Sequence, residues 1–88
     1  MGSPVVHFEI IGKDGAALRK FYKGLFGWKI NAKNPMKYGI VDTASDGQGI
    51  GGGIFESSKA AARGVYFYVL VPDLDKTLAR VKKAGGKV

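Results

Sequence analysis

VVHFEIIGKDGAALRKFYKGLFGW at residues 5–28 and VYFYVLVPDLDKTLARVKKAG at residues 65–85 share one plan: an apolar strand, a capping aspartate, then an amphipathic helix. Val6-His7-Phe8-Glu9-Ile10-Ile11 leads to Asp14 at the spacing with which Val65-Tyr66-Phe67-Tyr68-Val69-Leu70 leads to Asp73. His7 and Tyr66 therefore fall at equivalent places. The duplication predicts a fold of paired modules around a shared concave site.

Alternate residues of a strand share a face. His7, Glu9 and Ile11 point one way, and Val6, Phe8 and Ile10 the other. The wholly apolar face calls for a helix. That helix follows at once, with Asp14 as N-cap and Leu18, Phe21, Tyr22, Leu25 and Phe26 recurring at helical spacing. Gly27 stands where a helix commonly stops in the left-handed conformation. In the second copy Val65, Phe67, Val69 and Val71 share a face, with Tyr66, Tyr68 and Leu70 on the other. Pro72 ends that strand, and Leu74, Leu78 and Val81 form the stripe of the helix that Asp73 caps.

Between the copies the chain reads as three short strands. Trp28 to Ala32 is followed by an Asn34-Pro35 turn, Tyr38 to Thr43 by Ser45-Asp46-Gly47, and Ile50 to Phe55 completes the run. Gly51, Gly52 and Gly53 are costly inside a strand and predict a bulge, or close approach by a ligand or another backbone. Gly47-Gln48-Gly49-Ile50-Gly51-Gly52 satisfies G-x-G-x-x-G but leads into a strand. A dinucleotide site needs a helix there, so the match is read as chance. Lys87-Val88 reads as the opening of another strand.

Eighty-eight residues suit one domain with a modest core. The absence of cysteine excludes disulfides and thiolate metal sites, and no stretch is apolar for long enough to span a bilayer. With no signal-peptide pattern, a cytoplasmic location is expected. Fourteen Lys and Arg against seven acids give a net charge of +7, which attracts anions. The basic residues are spread around the two helices, as on solvated helix faces. No serine has a histidine at a suggestive spacing, so nucleophilic catalysis has no support.

Val6-His7-Phe8-Glu9-Ile10, Phe21-Tyr22-Lys23-Gly24-Leu25-Phe26-Gly27-Trp28, Gly51-Gly52-Gly53-Ile54 and Val71-Pro72-Asp73-Leu74-Asp75, running on to Ala84-Gly85-Gly86-Lys87-Val88, resemble the vicinal oxygen chelate superfamily. It includes glyoxalase I, bleomycin-resistance proteins and extradiol dioxygenases. The resemblance implies an α+β fold of paired βαβββ modules. They form curved half-barrel sheets with helices on the convex face, here with the second module truncated. Residues 1–88 then form a single domain: module one at 5–56, a linker at 57–64 and an incomplete module two at 65–88. An incomplete chain is the expectation, over a short form completed by a second copy and over an engineered fragment.

The resemblance also implies a concave cavity. His7, Glu9, Tyr66 and Tyr68 are its candidate wall, with Tyr38 added. Enzymes of the family usually hold a divalent metal (Ni, Zn, Mn or Fe), with a histidine on the first strand of each module. His7 matches one such place, but Tyr66 stands at the other. Glu56 falls at the end of its strand, where the family's carboxylate lies inside it. Glu9 shares a face with His7, at roughly 7 Å along the strand. No cofactor is therefore expected; if a metal is bound, His7 and Glu56 are its candidate ligands.

The leading expectation is a homodimeric protein that binds a small organic ligand in the cavity. Tyr38, Tyr66 and Tyr68 would bind it, His7 and Glu9 would be the candidate catalytic or polar groups, and the net charge would favour an anion. The first alternative is a metal-dependent lyase, isomerase or dioxygenase of the same superfamily. The second is a basic nucleic-acid-binding module. Nucleic acid is the lesser expectation as a partner, and a membrane is not expected.

Overall fold

The computed structural model describes residues 2–88. Its elements run β1 (Val5–Gly12), α1 (Gly15–Phe26), β2 (Lys29–Asn31), β3 (Gly39–Asp42), β4 (Gly51–Glu56), a short 3-10 turn (Ala60–Ala62), β5 (Gly64–Val69) and α2 (Leu74–Lys83). The strands form one curved, unclosed sheet in the order β2-β3-β4-β1-β5. β4 lies parallel to β1, and the other pairings are antiparallel. This is an α+β fold.

Both helices start as their sequences dictate. The Asp14 carboxylate accepts from the Ala17 N–H at 3.0 Å, and Asp73 accepts from the Lys76 N–H at 3.0 Å. Each satisfies a donor that the first helical turn cannot pair internally. Gly27 ends α1 at φ 69°, its N–H donating to the Lys23 carbonyl at 2.9 Å. Arg80, Lys82 and Lys83 occupy the last turn of α2, where positive charge suits the helix dipole.

The core is small. Ile10, Val41 and Ile54 are buried, and Phe8, Leu18, Tyr22, Trp28 and Ile30 pack around them. Strand alternation explains the set: Phe8 and Ile10 on β1, Gly52 and Ile54 on β4 and Val41 on β3 all face α1. The stripe that α1 buries is narrower than its periodicity predicts. Leu18 and Tyr22 reach the core, whereas Phe21, Leu25 and Phe26 remain exposed. Tyr22 also stacks on Trp28, with ring centroids 5.3 Å apart.

The glycine run contains no bulge; pairing is continuous on both sides of β4. At Gly52 and Gly53 close approach is the explanation, made by side chains rather than by a backbone. A Cβ on Gly52 would lie 2.5 Å from the Phe8 ring, and one on Gly53 would overlap the Tyr38 hydroxyl. The irregularity in the sheet lies between Val5 and His7, where β1 meets β5.

The second copy is packed less completely than the first. β5 ends at Val69 rather than Val71, and Lys87-Val88 lies in no strand. Phe67 is 70% exposed and Leu74 64%. The stripe of α2 therefore does not cover the convex face of β5 as α1 covers that of β1.

Candidate functional site

Register builds the concave face. β1 and β5 are the duplicated strands, and they pair antiparallel with Phe8 opposite Phe67. Equivalent positions are thereby exchanged across the pair: His7 faces Tyr68 and Glu9 faces Tyr66. On the other flank Gly53 and Phe55 of β4 stand beside Glu9 and Ile11. The missing side chain of Gly53 leaves the space that the Tyr38 ring occupies. Asn34 fixes Tyr38 there. Its Oδ1 accepts from the Tyr38 N–H at 2.9 Å, and its Nδ2 donates to the Tyr38 carbonyl at 2.7 Å.

Three polar side chains meet around Glu9. The Tyr38 hydroxyl donates to one carboxylate oxygen at 2.8 Å, and the Tyr68 hydroxyl donates to the other at 2.9 Å. His7 Nε2 lies 3.5 Å from the Tyr38 hydroxyl, and the His7 ring meets Tyr68 edge-on at 5.2 Å between centroids. Phe55 flanks Tyr38 at 5.9 Å. Tyr66 shares the face but turns its hydroxyl to the Ala62 carbonyl, donating at 3.0 Å.

Tyr38 and Tyr68 keep their protons past the ordinary phenol value. Burial raises the Tyr38 pKa most, with its hydrogen bond and charge repulsion from Glu9 adding to the effect. For Tyr68 the hydrogen bond to Glu9 comes first, followed by burial and the Glu9 charge. Both are neutral hydrogen-bonding groups at physiological pH and neither serves as a base.

Glu9, Ile11, Ala62, Tyr66, Phe67 and Tyr68 border an open depression of about 450 Å³. A larger one, about 610 Å³, lies between α2 and the end of β5, lined by residues such as Val69, Pro72, Lys76 and Arg80. Size does not choose between them; chemistry does. The smaller depression is bordered by Glu9 and by Tyr68, which is hydrogen-bonded to it.

Glu56 is not brought to this cluster. It pairs with Gly12, on the face that carries Ile10 and Ile54, and its Oε1 accepts from the Gly15 N–H at 2.9 Å. Its role there is to hold the start of α1. Among the described residues no three His, Asp or Glu side chains converge as a metal set. His7 has Glu9 beside it, but both Glu9 oxygens accept tyrosine hydroxyls. Two side chains fall short of the several converging donors that a divalent metal needs.

The sequence pattern of the Glyoxalase/Bleomycin resistance protein/Dioxygenase superfamily matches residues 5–88. The chain belongs to this superfamily. The fold agrees with a solved glyoxalase/bleomycin resistance protein/dioxygenase superfamily member from Vibrio splendidus. That likeness has a TM-score of 0.61 at 19% identity, over 96% of this chain and 70% of the other. No curated protein matches the sequence. Within this glyoxalase-superfamily chain, His7, Glu9, Tyr38 and Tyr68 form one cluster, and Tyr66 stands at its rim. Phe55, Gly53 and Asn34 complete it without having been singled out as site residues. The alternation of the fourth strand was the signal for Phe55, and the Asn-Pro turn was the signal for Asn34.

Proposed function

We propose that the protein binds a small organic ligand on the concave face of its sheet. Tyr38, Tyr66 and Tyr68 form the walls, and Glu9 and His7 supply polarity. The observation that supports this reading most is the convergence of Tyr38 and Tyr68 on Glu9 from segments 29 and 59 residues away in sequence. This hydrogen-bonded group contributes about 1.5–3 kcal/mol per bond to folding, because the acceptor is charged. Its preorganised polar atoms, set among aromatic rings in a depression, have the composition of a ligand site.

The test is a thermal-shift screen of small organic compounds, followed by measurement of affinity in a variant with alanine at both Tyr66 and Tyr68. These residues contribute little to the core, so the variant is expected to fold and to lose binding. Unchanged affinity in a folded variant would overturn the assignment. No helix of the described chain is long and apolar enough to cross a membrane, and the reading requires no membrane.

A further inference from the structure

The protons of the site are already committed. Tyr38 and Tyr68 each have one hydroxyl proton, and both are given to Glu9. Tyr66 gives its own to the Ala62 carbonyl. What these three phenols have left to offer is oxygen lone pairs. The Glu9 carboxylate is acceptor-only and has lone pairs beyond the two in use. Because the Tyr38 proton points at Glu9, His7 Nε2 faces a Tyr38 lone pair. In the neutral ring the proton then sits on Nε2 and Nδ1 is another acceptor. A ligand arriving at this cluster meets acceptors.

Charge agrees with this count. Strand alternation places Glu9, Asp42 and Lys29 on the concave face, two acids against one base. Most of the basic residues behind the net charge of +7 lie on the helices and connecting segments. The half-exposed rings of Tyr66 and Tyr68 favour a cation as well. An anion would have to pull a tyrosine proton from Glu9 and then sit beside that carboxylate.

We propose that the site selects positively charged, hydrogen-donating organic ligands, an ammonium group on an apolar body, against anions of the same size. This rests on the concave-face reading above and reverses the preference that net charge alone suggests. Benzylammonium, benzyl alcohol and benzoate are matched probes. Each is titrated into the protein at neutral pH and followed by amide NMR. Benzylammonium is expected to move the amides of residues 7–9 and 66–68 and to bind about tenfold or more tighter than benzoate.

Glu9→Gln should abolish most of that preference. Tyr68→Phe, which keeps a ring and frees a Glu9 oxygen, should retain or increase it. Benzoate binding at the same amides as tightly as benzylammonium would overturn the charge selection and leave the concave-face site standing. A preference that survives Glu9→Gln would also overturn it. If no probe moved those amides, both readings would fail.

Discussion

Replacing Gly53 with alanine puts one methyl group where the Tyr38 hydroxyl lies, so Tyr38 must leave its place over β4. The departure breaks its 2.8 Å hydrogen bond to Glu9. A hydrogen bond to a charged group contributes about 1.5–3 kcal/mol. Alanine in place of glycine returns about 0.4–1 kcal/mol by restricting the unfolded chain. The net expectation is a loss of about 1–2 kcal/mol, or roughly 5–15 °C in Tm for a domain this small. Chemical denaturation measures the cost, and alkaline titration reports where Tyr38 has gone. In Gly53→Ala its hydroxyl should ionise closer to the ordinary tyrosine range. The decisive control is the same substitution in a Tyr38→Ala background, where there is no ring to displace. There it should be neutral, or stabilising by about 0.4–1 kcal/mol. An equal cost in both backgrounds would refute the claim that Gly53 is glycine to admit Tyr38.

Further outcomes follow from the same geometry. Two of the four tyrosines, Tyr38 and Tyr68, should ionise above the ordinary value of 10.0 when tyrosinate absorbance is followed through alkaline pH. Their folded pKa values are raised, so their contribution to stability is complete below pH 10.0. It is lost as pH rises above that value, and Tyr38→Phe with Tyr68→Phe should flatten the decline. Asp14→Ala should cost about 1 kcal/mol in denaturant by freeing the Ala17 N–H. Gly27→Ala, at φ 69° with open space around it, should cost a similar ~1 kcal/mol through backbone strain alone. In native mass spectrometry with nickel or zinc, no uptake should depend on both His7 and Glu56, since they stand on opposite faces. Parallel loss of a stoichiometric metal in His7→Ala and Glu56→Gln would contradict that placement.

The two strand–helix units were legible because their signals are local. Asp14, Gly27 and the alternation of Phe8 and Ile10 with His7 and Glu9 each depend on neighbours within a few residues. The pairing of His7 with Tyr68, by contrast, needs a register that only the assembled sheet defines. Glu56 was a candidate ligand because the family resemblance implies a carboxylate on that strand, and the register with β1, which pairs it with Gly12, puts it on the other face. Tyr38 was visible as a weak candidate, but the space that admits it belongs to Gly53, on another strand. The helix stripes were read too broadly for a similar reason. Periodicity shows which residues share a side of α1 and α2, and only packing shows that Leu18 and Tyr22 find partners while Phe21 and Leu74 do not.

The central claim is that ligands enter the sheet's concave face at Glu9, and not the larger depression beside α2. An amide-shift map of the intact protein with a compound that raises its Tm tests this most directly. Shifts are predicted to concentrate on β1 and β5 and at Tyr38, which precedes β3. Shifts concentrated on residues 71–84 along α2 would contradict it.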